Sequence, residues 1–118
     1  MAKILVVDNE VSIRVLIKVI LANGGHEVIG EASSGSEAVE KYRKLKPDLV
    51  TMDITMPVMD GVKAALQIKL EDSEAKIVMC SAMEQLVVEA MQAGATDFVV
   101  KPFDIERFLD AVNRVLAG

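Results

Sequence analysis

The chain alternates between short runs of continuous apolar residues and longer segments in which apolar residues recur at helical spacing. The predicted strand segments comprise residues 3–8, 26–32, 48–53, 75–82 and 96–100, of which 26–32 is the least apolar. Runs of this length that are rich in β-branched residues predict strands buried on both faces. Because a segment of helical spacing follows each run, the pattern predicts five strand–helix units in succession.

The predicted helices are defined by apolar residues three or four positions apart and by Gly or Pro stop signals. The first, second and fourth helices are predicted to end at Asn23, Pro47 and Gly94. The third is predicted from Val62 to about Leu70, with a weaker pattern, and the fifth begins at about Asp104. The residues predicted to form their apolar faces are Ile13, Leu16, Ile17, Ile20, Ala38, Tyr42, Leu45, Val87, Ala90, Met91, Ile105, Phe108, Leu109, Val112 and Leu116.

Strands without polar alternation, separated by amphipathic helices, indicate an α/β fold whose parallel sheet is covered on both faces. Right-handed crossovers make such a sheet open and doubly wound, so we predict a (βα)5 fold with five parallel strands. The 118 residues suit one domain, residues 1–118. In this fold class ligands bind beyond the carboxyl ends of the strands.

Composition narrows the classes of function. No apolar run approaches the length of a membrane-spanning helix, and acidic residues follow the first apolar run directly, which is unlike a signal peptide. The net charge of −5 argues against binding to nucleic acid. Cys80 is the only cysteine, so we expect a buried thiol in a cytoplasmic protein. His26 is the only histidine, and we expect it to be a surface residue.

Polar residues interrupt the apolar pattern at the ends of the predicted strands. The residues in question are Asp8, Asn9 and Glu10 after the first strand, Asp53 and Thr55 at the third, Ser81 at the fourth, and Lys101 with Pro102 at the fifth. The second strand ends in Glu31 and Ala32, for which the sequence suggests no chemistry. Taken singly, these residues are ordinary turn residues, helix caps or a solvated lysine. Together, carboxylates, an amide, a hydroxyl and an ammonium suit Mg²⁺ and a phosphoryl group.

Four blocks at these strand ends resemble the receiver domain of response regulators: "ILVVDNE", "PDLVTMDITMPVMDG", "IVMCSA" and "DFVVKPF". The resemblance covers the whole chain and implies a flavodoxin-like sheet with strand order 2-1-3-4-5. Several blocks are similar to single-domain chemotaxis regulators, and "KPFDIERFLDAV" is also similar to single-domain regulators of sporulation phosphorelays.

The resemblance implies a role for each matching residue. Asp53 would accept a phosphoryl group from a histidine kinase, and Asp8, Asn9, Asp53 and the carbonyl of Thr55 would hold Mg²⁺. Ser81 would bind a phosphoryl oxygen and Lys101 would neutralise it.

The resemblance also implies a conformational switch. Phe98 would move into the space that Ser81 leaves, and the face formed by the fourth helix, fifth strand and fifth helix would then bind a protein target. Met56, Pro57 and Gly61 match the loop after the acceptor. The Lys101–Pro102 peptide is expected to be cis.

Three features depart from the family pattern. Asn9 replaces the usual second aspartate, which predicts weaker Mg²⁺ binding and less repulsion between carboxylates without the metal. Ser81 and Lys101 are 20 positions apart, which is shorter than usual and predicts that the loop and the start of the fourth helix are shorter. Thr55 and Met83 provide no carboxylate or amide to orient water, so we predict slow self-dephosphorylation.

Alternatives remain at this stage. A phosphatase of the haloacid-dehalogenase type requires a second aspartate where Thr55 stands, and a flavodoxin requires a hydroxyl- and glycine-rich loop after the first strand. A receiver that signals without phosphorylation is favoured only by Asn9. We therefore expect a single-domain, monomeric phosphoacceptor that is not an enzyme for another substrate, with a receiver cut from a longer regulator as the alternative. It would bind a kinase or phosphotransfer protein, then a flagellar switch or relay protein, and neither nucleic acid nor membrane.

Overall fold

The computed structural model describes residues 2–56 and 59–118, so Pro57 lies outside the described residues. Within them a five-stranded parallel sheet has the order β2-β1-β3-β4-β5, which confirms the predicted topology. The strands are β1 (Lys3–Val7), β2 (Glu27–Ala32), β3 (Leu49–Asp53), β4 (Ile77–Ser81) and β5 (Asp97–Val100). Apolar side chains fill both faces of the central strands, which explains why the strands show no polar alternation.

In the part of the chain that the structure describes, five α-helices connect or follow the strands: α1 (Val11–Asn23), α2 (Gly35–Leu45), α3 (Gly61–Glu71), α4 (Val87–Gln92) and α5 (Ile105–Ala117). Three of them begin at a polar cap, because the side chains of Ser34, Asp60 and Asp104 accept hydrogen bonds from backbone N–H groups in the first turns of α2, α3 and α5. In the described part of the chain, no helix has the length and apolar character needed to cross a membrane.

Alternate strand residues point to opposite faces and form two apolar layers. One layer packs beneath α2, α3 and α4 and includes Leu5, Val50, Met79 and Phe98. The other packs beneath α1 and α5 and includes Ile4, Leu49, Cys80 and Val99. The sheet is thus covered on both sides, as the strand composition predicts. Cys80 lies inside the second layer, and burial raises the pKa of its thiol to about 12.

Some predicted apolar-face residues are not in the core. Leu16 is 45% exposed and Ile105 is 57% exposed, so the predicted faces of α1 and α5 were wrong at these positions. Helix α1 covers the sheet through its buried residues Ile17, Ile20 and Leu21. Leu16 lies about 100° around the helix from Ile17. The same correction applies to Leu45, Val87 and Met91, which are also exposed.

His26, which the sequence predicts to be a surface residue, is partly exposed. Its Nδ1 accepts a hydrogen bond from the backbone N–H of Ala2 at 3.3 Å, and its Nε2 lies 2.8 Å from Oδ1 of Asn113. His26 therefore ties the start of the chain to α5, at the end of the sheet opposite the polar strand ends.

Candidate functional site

The strand register brings the predicted site residues to one edge of the sheet. Val7 is paired with Met52 across β1 and β3, so Asp8 and Asp53 follow paired residues on neighbouring strands. Ser81 is paired with Val100 across β4 and β5, so Lys101 follows directly at the same edge. Because all the strands are parallel, their carboxyl ends meet there.

Lys101 joins the two buried carboxylates of this edge. Its Nζ donates hydrogen bonds to Oδ2 of Asp8 at 2.8 Å and to Oδ1 of Asp53 at 3.2 Å. Asp8 is 1% exposed and Asp53 is 8% exposed. Two neighbouring buried carboxylates would repel each other strongly, and the shared ammonium compensates their charge.

These contacts shift the proton affinities of the site. Burial raises the pKa of Asp53, and the charge of Asp8 adds to this effect, while the charge of Lys101 opposes it. Burial alone would lower the pKa of Lys101, but its hydrogen bond to Asp8 and the charge of Asp53 outweigh burial and raise it. Lys101 is therefore held as a cation, and a further cation beside Asp53 would favour the ionised carboxylate.

Every polar atom of Asp8 has a hydrogen-bond partner. Its N–H donates to the carbonyl of Ala32 at 3.0 Å, and its Oδ1 accepts from the N–H of Glu10 at 2.9 Å. Its carbonyl accepts from the guanidinium of Arg14, and its Oδ2 accepts from Lys101. The Oδ1 contact forms an Asx turn that leads into α1. Asn9 lies within this turn and is exposed.

The donor set at this edge fits a hard divalent cation. Among residues 2–56 and 59–118, no group of three or more His, Cys, Asp or Glu side chains could hold a metal ion. The oxygens available are instead two carboxylates, from Asp8 and Asp53, the amide of Asn9, and the main-chain carbonyl of the exposed residue Thr55. Mg²⁺ retains several waters and needs few protein oxygens, so this set is sufficient.

Ser81 is buried and its hydroxyl has a partner outside the carboxylate pair. Its Oγ accepts a hydrogen bond from the N–H of Met83 at 3.0 Å, and its carbonyl accepts from the N–H of Lys101 at 2.9 Å. By strand alternation Ser81 follows Met79, on the face that packs beneath α2, α3 and α4. Phe98 is buried in this same layer.

The loop after Asp53 approaches the end of β3 very closely. A Cβ atom at Gly61 would lie 2.2 Å from the carbonyl oxygen of Asp53, so only glycine fits this position. The N–H of Gly61 donates to the carbonyl of Ile54 at 2.7 Å, and Met56 is buried. Gly61 therefore allows α3 to begin directly against the strand that carries Asp53.

The segment between Ser81 and Lys101 is short, as its spacing predicts. Helix α4 has only 6 residues and follows a single 3₁₀ turn at Glu84–Leu86. The Lys101–Pro102 peptide bond is cis.

Sequence reasoning missed two residues beside the site, Arg14 and Glu31. Arg14 contacts the carbonyl of Asp8, and its Nε donates to Oε1 of Glu31 at 3.0 Å. The available signal was a basic residue one turn after Glu10 in a mostly apolar helix, together with a glutamate at the carboxyl end of β2. Neither residue indicates a partner until the register of β1 and β2 is known.

Comparisons with known proteins agree with this arrangement. Residues 4–113 match the response regulator receiver domain family. The chain is 54% identical over 116 residues to the chemotaxis protein CheY of Bacillus subtilis, covering 97% of each protein. It is 52% identical over 115 residues to CheY of Thermotoga maritima, covering 96% of each. A crystal structure of the CheX–CheY–BeF₃–Mg²⁺ complex from Borrelia burgdorferi superposes with a TM-score of 0.92 at 38% identity, covering 96% of this chain and 87% of that chain.

Proposed function

The chain belongs to the response regulator receiver domain family, and from this we propose that Asp53 accepts a phosphoryl group from a histidine kinase or phosphotransfer protein. A carboxylate oxygen of Asp53 attacks phosphorus in line with the phosphohistidine nitrogen. The P–N bond breaks, the imidazole keeps the bonding electrons and takes up a proton, and Asp53 becomes an acyl phosphate. The chain turns over no separate substrate and catalyses only its own phosphorylation and slow dephosphorylation.

The other polar groups position and neutralise the transferred phosphoryl group. Asp8, Asn9, Asp53 and the carbonyl of Thr55 would hold Mg²⁺, whose charge offsets that of the phosphoryl oxygens. The ammonium of Lys101 leaves Oδ1 of Asp53 and pairs with a phosphoryl oxygen. The observation that supports this proposal most directly is that the buried Asp53 carboxylate lies beside a fixed ammonium, since phosphoryl transfer needs a positioned nucleophile and a cation for the phosphoryl oxygens.

Phosphorylation then changes the surface that binds a target. The Ser81 hydroxyl exchanges its hydrogen bond from Met83 for one to a phosphoryl oxygen, and Phe98 moves toward the space that Ser81 leaves. The response lies in the face formed by α4, β5 and α5, where Val87, Val88 and Ile105 are exposed and available to a partner. The target is a protein, either a flagellar switch component or a relay protein, and the CheY relatives favour the first.

The experiment that tests this proposal is intact mass measurement after incubation with acetyl phosphate and Mg²⁺. We expect the parent protein to gain one phosphoryl group and the Asp53→Ala variant to gain none. Asp110→Asn is the matched control, because it removes an exposed carboxylate on α5 and should gain the group like the parent.

An unmodified parent, even at high Mg²⁺, would overturn the proposal. The result would favour the second candidate, a receiver that signals by protein contact without phosphorylation. The one observation that favours this candidate is that the second acidic position is the neutral Asn9.

A further inference from the structure

The two peptide units that flank Asn9 are both held in place. The carbonyl oxygen of the preceding unit, from Asp8, accepts a hydrogen bond from the Arg14 guanidinium. The N–H of the following unit, from Glu10, donates to Oδ1 of Asp8. Fixing both units sets the backbone dihedral angles of Asn9, and with them the direction in which its side chain leaves the chain.

Arg14 is itself fixed on its other side. Its Nε donates to Oε1 of Glu31 at 3.0 Å, so one planar guanidinium joins the Asp8 carbonyl to the Glu31 carboxylate. The Arg14 side chain is only 14% exposed. A lysine has a single charged nitrogen and cannot reproduce this fork of two differently directed donors.

Glu31 is a firm anchor for Arg14. Lys18, one turn further along α1, binds the second oxygen of the same carboxylate at 2.9 Å. The pKa of Glu31 is lowered, chiefly by the hydrogen bond from Lys18 and also by that from Arg14, although its partial burial opposes this. Glu31 therefore remains ionised over the physiological pH range.

These contacts close a ring between the ends of two strands. The residue after Glu31 is Ala32, whose carbonyl accepts the N–H of Asp8 at 3.0 Å. The last two residues of β2 thus hold Asp8 at its N–H directly and at its carbonyl through Arg14. The ring leaves out the two carboxylate oxygens of Asp8, which contact the N–H of Glu10 and the ammonium of Lys101 instead.

We propose that Arg14, anchored by Glu31, is a positioning residue that orients the Asn9 amide toward Mg²⁺. The inference rests on the proposed function, because it concerns the metal site of the same receiver. A neutral amide attracts Mg²⁺ less than a carboxylate does, so its contribution depends more on being held in the correct direction. Arg14 provides this direction without touching the metal.

Electrostatics and positioning predict opposite results for one variant. Arg14→Gln removes a positive charge near the site, so electrostatics alone would tighten Mg²⁺ binding. It also frees the Asp8–Asn9 peptide, so loss of positioning weakens binding. Lys18→Gln is the matched control, because it removes the same charge from the same helix and the same Glu31 partner without any contact to Asp8.

The test is calorimetric titration of Mg²⁺ into the metal-free parent, Arg14→Gln and Lys18→Gln proteins. We expect the Kd of Arg14→Gln to rise about tenfold, as is common when a residue supporting a metal ligand is removed. The Kd of Lys18→Gln should stay unchanged or fall. An unchanged or lower Kd for a folded Arg14→Gln protein would overturn the proposal.

A second pair of variants serves if Arg14→Gln does not fold. Glu31→Gln leaves Arg14 without its anchor, and Glu40→Gln removes the same charge from an exposed position on α2. We expect Glu31→Gln to raise the Kd at least about threefold more than Glu40→Gln, since the Glu31 carboxylate holds Arg14 and the Glu40 carboxylate does not. Equal effects of the two variants would contradict the proposal.

Phosphorylation kinetics separate this inference from the proposed function. With acetyl phosphate, Arg14→Gln should need about tenfold more Mg²⁺ for half-maximal rate, while its rate at saturating Mg²⁺ changes much less. A parent that binds Mg²⁺ but gains no phosphoryl group would reject the proposed function and leave the positioning role to the calorimetric result. A parent that binds no Mg²⁺ would overturn both.

Discussion

The two ends of the candidate site are held in different ways. At the β1 end, every polar atom of Asp8 has a hydrogen-bond partner. Arg14, held by Glu31, donates to the carbonyl of Asp8. At the β4 end, the Ser81 hydroxyl has one bond, to the N–H of Met83, and a 3₁₀ turn with no buried residue follows.

The helices beyond these ends differ in the same sense. Helix α1 buries Ile17, Ile20 and Leu21 against the sheet, whereas α4 has 6 residues and buries only Ala90. Local opening requires little free energy where few apolar groups are buried. The difference teaches that the β1 end is held in one geometry by side-chain contacts, whereas the β4 end can open at a smaller cost in free energy.

Lys101 connects the two ends, and its removal should have the largest effect. Lys101→Met leaves Asp8 and Asp53 buried beside each other without a compensating charge, so the free energy of unfolding should fall by about 3 kcal/mol. Mg²⁺ should recover much of this loss, because it binds the folded state and replaces the missing cation. Denaturant unfolding with and without Mg²⁺ measures both effects.

Lys63→Met is the control for Lys101, because it removes an exposed lysine on α3 and should change stability by less than about 0.5 kcal/mol. If both variants lost equally little stability, the shared ammonium would not be what holds the two carboxylates together.

The next largest effect concerns the rate of dephosphorylation and is expected at the β4 end. Met83 is 44% exposed and lies two residues after Ser81, and its side chain has no carboxylate or amide that could orient water. Met83→Glu should accelerate dephosphorylation by about tenfold, because a carboxylate can orient the attacking water. Decay of the phosphorylated mass with time measures the rate, and Met83→Gln separates orientation by an amide from the effect of charge. An identical decay rate in all three proteins would contradict the expectation.

A smaller effect, on Mg²⁺ affinity and on stability, is expected at the β1 end. Asn9→Asp adds a third carboxylate beside Asp8 and Asp53, so it should lower the Kd for Mg²⁺ by about fivefold and reduce metal-free stability by about 1 kcal/mol. Calorimetry and unfolding in the absence of metal measure the two quantities. If Asn9→Asp and the parent had equal affinity for Mg²⁺, the neutral amide of Asn9 would not weaken Mg²⁺ binding when its direction is fixed.

The smallest effect tests the core beneath the site. Among the described residues, the hydroxyl of Thr51 in β3 is buried without a hydrogen-bond partner. Thr51→Val should therefore raise the free energy of unfolding by about 1 kcal/mol. Thr96→Val is the matched control, because the Thr96 hydroxyl accepts the N–H of Ile77 at 3.2 Å and its loss should destabilise. Thermal unfolding of both variants checks the opposite signs.

Much of the fold could be predicted from local pattern. Continuous apolar runs and helical spacing were sufficient for the (βα)5 succession, while strand order 2-1-3-4-5 came from the family resemblance and the structure has it. The exposed Leu16 and Ile105 could not be predicted, since the apolar faces of α1 and α5 contain more residues than the sheet covers. Which of them is buried depends on how each helix is rotated on the sheet.

The sequence by itself determined that Asp8, Asp53, Ser81 and Lys101 lie at one edge, because parallel strands place their carboxyl ends together. Only the tertiary structure decided which of these groups bond to one another. Lys101 reaches both carboxylates, while the Ser81 hydroxyl bonds to Met83. The hydrogen bonds that join Asp8 to Arg14 and Arg14 to Glu31 likewise form only because β2 ends beside Asp8. Hydrogen bonds need partners within about 3 Å, and only strand register and helix packing bring residues distant in sequence that close.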